Sequence, residues 1–497
     1  MMSIEAVERA HVTPLLAEDR WKGRIYLGEW VDAPVTIDVT EPATGAVLGV
    51  AGSADPATVA RAAASAVRAQ PDWAATAFTE RAAVLRRAAG LLQRHHEELA
   101  RWIVRETGGV AAKADVELQA SAGELLEAAA LTSQPDGLTL PSAQPGRHSL
   151  ARRIPVGVVG VIAPWNFPLT LALRSVAPAL ALGNAVVLKS DPNTPLVGGV
   201  LVARVLEEAG LPAGVLHAFT GGVDVGQALV ADPNVHMISF TGSTAAGRAV
   251  GAAAGRLLKR VALELGGNNA LIVLADADVE AASSAGAWGS FLHQGQICMA
   301  AGRHIVHESI AADYLDALTE RAGRLLAGNP DTGKVALGPL ISEKQIARVQ
   351  QIVDDSVAAG AALRIGGHRD GPFFPATVVS DVGSAMPVYQ EEVFGPVAPV
   401  ITFRDADEAV ALANLGEHGL AAAIQSADPE RALEIGRRIR AGMVHINDQT
   451  VNDDPHAPFG GLGASGNGVS FGSVANWDSF SKWQWVTSRN KATPFPF

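Results

Sequence analysis

Val156-Gly-Val-Val-Gly-Val-Ile-Ala163 is an uncharged, β-branched run that stops at Pro164-Trp-Asn-Phe-Pro168. A short apolar run closed by prolines reads as a strand buried on both faces. Similar runs return at residues 185–189, 215–219 and 236–241, with helix-like segments such as 196–209 between them. Strands alternating with helices predict an α/β fold built on an open, largely parallel sheet. After Glu264 the alternation starts again, with strands near 270–274, 304–306, 397–403, 421–425 and 443–446 and helices near 311–326, 343–359, 406–415 and 430–440. Two α/β domains follow, with a ligand crevice expected where they meet.

Upstream, residues from about 56 to 131 read as helices, Ala-rich stretches such as 79–95 placing apolar side chains at helical spacing. Pro135, Gly137, Pro141, Pro145 and Gly146 form a turn-rich break before the first strand. Near the C-terminus, residues 479–488 alternate Trp483, Trp485 and Val486 with polar neighbours. That pattern is an edge strand with one apolar face, which either completes its own sheet or pairs with another subunit.

The 497 residues are 48% hydrophobic and 18% charged, the profile of a soluble protein with more than one core. Fifty-one acidic against 39 basic residues give a net charge of −12, which repels phosphate backbones and anionic membranes. No nucleic acid or membrane partner is expected. Uncharged stretches at 154–173 and 281–302 carry prolines or buried-type polar residues, so both read as strands and loops rather than membrane spans. A single cysteine, Cys298, excludes an internal disulfide and any multi-thiolate metal site, and no metal is expected. Met1 to Val12, with Glu5, Glu8 and Arg9, reads as neither a signal nor a transit peptide, so the cytoplasm is the expected location.

Two motifs are refused. Gly461-Leu-Gly-Ala-Ser-Gly466 fits G-x-G-x-x-G, but it lies in a Gly/Pro/Asn-rich loop without the preceding strand and following helix that a dinucleotide fingerprint needs. His96-Glu97 opens like a zinc-binding helix, yet Ala100 stands where the second histidine belongs.

Alone, Cys298 in an uncharged setting reads as an inert buried thiol. It becomes a nucleophile when a base and an oxyanion donor can be assembled around it. Glu264, held between two leucines and followed by two glycines, is the base candidate, because burial raises a carboxyl pKa towards neutrality. Asn166, pinned between prolines, is the oxyanion candidate, although a turn-forming Asn fits the same residues.

These residues sit in motifs that resemble the NAD(P)-dependent aldehyde dehydrogenase superfamily from about Thr40 onward. The motifs are Pro164-Trp-Asn-Phe-Pro168, Phe240-Thr-Gly-Ser-Thr244, Leu263-Glu-Leu-Gly-Gly267 with Cys298 thirty-four positions after its Glu, Glu392-Val-Phe-Gly-Pro396, and Pro458-Phe-Gly-Gly461. The resemblance implies two Rossmann-like open α/β domains plus a β-strand oligomerisation arm. Residues 1–137 and 155–263 would bind NAD(P), 264–445 would carry the thiol, and 446–478 would return to the active site. Residues 138–154 and 479–497 would form the arm of a homodimer or homotetramer. It also implies a thiohemiacetal and then a thioester on Cys298, an oxyanion held by Asn166 and the Cys298 backbone N–H, and hydrolysis by a water that Glu264 deprotonates. Implied cofactor contacts are Trp165, Lys189, Gly222, Gly226, Phe240, Gly242, Ser243, Glu392 and Phe394, with Gly221 nearby.

The pattern is broken twice. Pro192 stands where many NAD-preferring relatives carry a ribose-gripping Glu, so NAD is expected with some use of NADP. Ser470 stands where many relatives have a Glu that orders the deacylation water. Residues 291–303, Met443-Val-His-Ile-Asn-Asp-Gln449 and 455–466 resemble the branch that oxidises benzaldehydes. Phe167, Ile297, Met299 and Phe459 would then line an apolar pocket for a flat ring. Arg174 either faces that channel, favouring a polar or anionic ring substituent, or is a structural ion-pair partner. A broad-range or salicylaldehyde-type dehydrogenase is the alternative within the family. Remote rivals are a Cys298–His293 thiol hydrolase, an acyl transferase to coenzyme A, and a non-catalytic cofactor binder.

Overall fold

The computed structural model describes residues 13–497, so the reading of Met1 to Val12 lies outside the described residues. Helices at Pro56–Ala75, Phe78–Arg94, His96–Thr107 and Ala111–Leu131 (α1) form the layer expected from the sequence. The first begins as its residues dictate: the Asp55 carboxylate accepts from Thr58 N at 2.7 Å, and Pro56 occupies a position where no N–H is needed.

Five parallel strands form the centre of the first sheet: β1 (Val158–Ile162), β2 (Ala185–Ser190), β3 (Leu216–Thr220), β4 (Met237–Thr241) and β5 (Arg260–Glu264). Their spatial order is β5-β4-β1-β2-β3. The chain therefore winds outward from β1 in one direction and then returns to its other side, which opens a crevice between β1 and β4. Between β1 and β2 runs α2 (Pro168–Ala181), and after β4 comes α3 (Thr244–Arg256). The segment read as one helix over 196–209 is a π-turn at Leu196–Val200 followed by Leu201–Glu208. There the buried Glu106 carboxylate accepts from Leu196 N and Val197 N, at 2.8 and 2.7 Å.

The second sheet runs β8-β9-β7-β6-β10-β11, from strands β6 (Asn269–Val273), β7 (Ala301–His307), β8 (Thr377–Ser380), β9 (Val397–Phe403), β10 (Ala421–Gln425) and β11 (Met443–Ile446). These are parallel, and Ala362–Ile365 adds an antiparallel edge beside β8. β5, β8 and that edge strand were not foreseen, nor were the hairpins at 24–32 and 35–53 that extend the first sheet. Each is short, and β5 carries charge at both ends, so no clear period marks them. Glu264 is the last residue of β5 and so belongs to the first sheet, rather than opening the second block as the sequence suggested.

Ser481–Arg489 pairs along its length with Arg147–Pro155, which also pairs with Gly137–Thr139. The tail strand thus completes a three-stranded sheet of its own chain, and it still presents Trp483 and Trp485 at 52% and 64% exposure. None of the described helices is long and apolar enough to cross a membrane.

Candidate active site

The C-terminal ends of β1 to β4 border a cleft with two adjoining compartments. The larger, about 880 Å³, is lined by Trp165, Lys189, Gly222, Gly226, Phe240, Gly242 and Ser243, with Gly221 among its other residues. The smaller, about 350 Å³, shares Trp165, Gly242 and Ser243 with it and ends on Asn166, Gly266, Cys298, Glu392 and Phe394. Every cofactor residue implied by the resemblance therefore lies along one cleft. The second sheet meets this cleft with the segments that enter its strands: Cys298 precedes β7, and Glu392 and Phe394 precede β9.

The Cys298 segment is held in an unusual backbone. His293 and Gln294 have φ of 49° and 54°, a left-handed conformation that costs a side-chain-bearing residue about 1 kcal/mol or more. Neighbours fix it. Gln294 Nε2 donates to Gly108 O and Pro339 O, at 3.1 and 3.0 Å, and Gln296 Oε1 accepts from Ile341 N at 3.0 Å. At Gly295, φ 66°, a Cβ would lie 2.1 Å from the Gly395 carbonyl, so only glycine fits. Asn269 Nδ2 donates to the carbonyls of Cys298 and Ala300, both at 2.8 Å, while its Oδ1 accepts from Ala421 N. Asn269, Gln294 and Gln296 received no role from the sequence; their position inside the two motifs was the available signal.

Burial first, then repulsion from Glu392, pushes the Cys298 thiol up to about 12, while Arg174 pulls the other way. Glu264 is buried at 3% exposure, and neither carboxylate oxygen has a hydrogen-bond partner among the described residues. Its pKa is consequently raised well above 4.5 by burial, with Arg174 opposing. Asn166 Nδ2 donates one hydrogen to Gln296 O at 2.9 Å, which orients the amide and leaves its second N–H for another acceptor. Glu392 accepts from Gly267 N at 3.0 Å, and burial lifts it to about 7.

Behind Asn166 lies a buried pair from α1: Lys113 Nζ sits 2.5 Å from Glu117 Oε2, and Glu117 Oε1 accepts from Leu169 N at 2.9 Å in the first turn of α2. The Lys113 ammonium stands 4.5 Å over the Phe167 ring, whose edge meets His293 at 5.3 Å between centroids. His293 is held well below its ordinary pKa by burial and then by Lys113.

Ile297, Met299 and Phe459 form one buried apolar cluster, with Phe167 and Cys298 packed against it. Arg174 lies beside it, its Cζ 4.3 Å over the Phe459 ring, Nε 3.1 Å from Glu124 and the other arm paired with Asp453. The refused glycine motif is a loop with a short turn at Gly463–Ser465, packed under β5 through Leu265 N to Ser465 O, 2.9 Å. His96 pairs with Asp115 at the surface.

Comparison with known proteins agrees with this geometry. The model of the aldehyde dehydrogenase family matches residues 30–486. The chain is 56% identical to a vanillin dehydrogenase of an Amycolatopsis strain, over 97% of this chain and 99% of that one. It is 50% identical to the benzaldehyde dehydrogenase [NAD(+)] of Pseudomonas putida, over 96% and 98%. The crystal structure of a salicylaldehyde dehydrogenase from Pseudomonas putida G7, complexed with salicylaldehyde, superposes with a TM-score of 0.92 at 35% identity, covering 95% of this chain and 99% of that one. The chain belongs to the aldehyde dehydrogenase family and is an oxidoreductase acting on aldehydes.

Proposed function

We propose that this enzyme oxidises aromatic aldehydes to carboxylic acids with NAD, through covalent catalysis at Cys298. The observation that carries this reading is the convergence of Cys298, Asn166 and Glu392 at the blind end of a cleft whose other compartment is bordered by Lys189, the glycines and the start of α3. The named substrates of the relatives, vanillin and benzaldehyde, support the aromatic class. So does the apolar cluster of Ile297, Met299 and Phe459 against Phe167.

The residues present fit a dinucleotide. The two compartments adjoin, Ser243 caps α3 by accepting from Ala246 N, and the α3 N-terminus suits a pyrophosphate. Lys189, Gly222, Gly226, Phe240, Gly242 and Ser243 would hold the adenosine and pyrophosphate, and Trp165, Glu392 and Phe394 the nicotinamide end. When bound, the nicotinamide supplies a hydride acceptor.

The chain's own residues do the rest. A thiol pushed to about 12 needs a base, and Glu264, with its raised pKa, can take the proton. Sulfur attacks the aldehyde carbon, and the carbonyl electron pair moves to oxygen. The second N–H of Asn166 and the Cys298 backbone N–H stabilise that oxyanion. Its collapse expels the hydride and leaves a thioester on Cys298. Glu264 then deprotonates the attacking water, the carbon–sulfur bond breaks, and the acid leaves. The segments 138–154 and 479–497 serve as the arm of a cytoplasmic homodimer or homotetramer.

Steady-state formation of reduced nicotinamide from benzaldehyde, ring-substituted benzaldehydes and short aliphatic aldehydes, each with NAD and NADP, tests the reading. Aromatic aldehydes are expected to dominate kcat/KM, with NAD preferred. Dominance of short aliphatic aldehydes would overturn the aromatic pocket.

A further inference from the structure

The Arg174 guanidinium is not a free cation facing substrate. Glu124 pairs with its Nε at 3.1 Å, Asp453 pairs with its other arm, and its remaining surface lies against the Phe459 ring. Two carboxylates on one guanidinium leave the cluster with net negative charge. Glu124 and Arg174 are each 4% exposed, so their geometry is closed, whereas the Asp453 side chain is 26% exposed. Asp453 Oδ2 faces Arg174, and no group among the described residues donates to Oδ1.

Asp453 cannot swing freely, because its loop is docked on α1. Pro455 packs against Gly123, where an added Cβ would come within 3.1 Å, and His456 reaches Glu127 at 3.5 Å as well as Asp454 at 2.7 Å. Phe459, on which Arg174 stacks, belongs to the apolar cluster against which Cys298 and Val451 are packed. A fixed carboxylate with a spare acceptor therefore stands beside the pocket. An ionised carboxylate accepts hydrogen bonds and donates none, so it welcomes a neutral hydroxyl and repels an anion.

We propose that Asp453 accepts a hydrogen bond from the ring hydroxyl of phenolic aldehydes, so that the enzyme selects hydroxylated rings over O-methylated or anionic ones. This rests on the aromatic-aldehyde reading above.

The test is the ratio of kcat/KM for 3- and 4-hydroxybenzaldehyde to that for the matching methoxybenzaldehydes. At a pH where the phenol is neutral, wild-type enzyme is expected to favour the hydroxylated partner about tenfold, the scale of a hydrogen bond to a charged group. In Asp453→Ala the ratio falls to near one. In the wild-type enzyme it also falls as rising pH ionises the phenol. A ratio equal in wild type and variant, or one that rises on phenol ionisation, overturns the proposal. If Asp453→Ala does not fold, Asp453→Asn and the wild-type pH series read the same ratio. Failure of wild-type enzyme to oxidise any benzaldehyde would sink the earlier reading, whereas oxidation with a ratio near one would sink only this one.

Discussion

The two sides of the substrate pocket treat charge in opposite ways. On the reactive side, Glu264 is buried with neither oxygen partnered, and the Cys298 thiol is pushed up to about 12. On the opposite wall, Arg174, Glu124 and Asp453 answer one another, and behind Asn166 so do Lys113 and Glu117. An unpartnered buried carboxylate is expensive in its ionised form, so it holds a proton until the reaction asks for a base. A paired one stays ionised and defines shape. The contrast teaches which charges react and which discriminate.

The sharpest way to break it is Glu264→Gln. Removing the base is expected to lower kcat by about 10² to 10⁴. Intact-mass analysis should then show the acyl group retained on Cys298. The pH dependence follows from the direction of the shift. Glu264 is protonated at low pH and ionises only as pH rises through its raised pKa, so wild-type kcat should climb there and the variant's should not. Stability runs the other way. A carboxyl raised above 4.5 in the folded state contributes stability that is full at low pH and is lost as pH rises through the folded value, so Glu264→Gln should raise Tm at alkaline pH. A variant with wild-type kcat would end the assignment of Glu264 as base.

A smaller effect is expected at the far end of the cleft, where pairing is incomplete. Lys189 is held below its ordinary pKa by burial, while Asp191 and Asp224 push it back up. Those two carboxylates stand near the amine that would meet the ribose, and Pro192 contributes no charge. Asp191→Asn with Asp224→Asn should raise the NADP to NAD ratio of kcat/KM by about tenfold, since removing like charge favours a 2′-phosphate. An unchanged ratio would mean that neither carboxylate faces the ribose.

The sequence made the alternating strands legible because β1 to β4, β10 and β11 are buried runs with sharp ends. Cys298, Glu264 and Asn166 were legible through motif identity, and the cleft brings the implied cofactor residues together. The pairing on the opposite wall was not legible. Glu124 and Arg174 are 50 residues apart, and Asp453 lies 279 beyond Arg174, so no local period joins them. Arg174 read equally well as a substrate contact or an ion-pair partner; only the tertiary fold shows its two carboxylates. Asn269 was missed for a different reason, since a side chain that fixes two carbonyls leaves no pattern in composition or spacing.

The smallest effect tests the exposed end of the paired wall. His456 is 70% exposed and is held above its ordinary pKa of 6.5 by Asp454 first, with Glu127 and Glu124 adding to the pull. A raised histidine stabilises fully below its unfolded value, and that contribution is lost as pH rises through the folded value. His456→Ala should therefore lower Tm only on the acid side of that window, by about 1 °C or less, because solvent screens so exposed a pair. Thermal melts of both proteins across the window, together with the hydroxyl to methoxyl ratio at each pH, separate two roles for this contact. A melting difference confined to low pH with an unchanged ratio makes His456 a minor clasp on a loop that Asp453 and Pro455 already hold. A ratio that collapses in His456→Ala would show that the clasp positions Asp453, and that the paired wall depends on its most exposed charge.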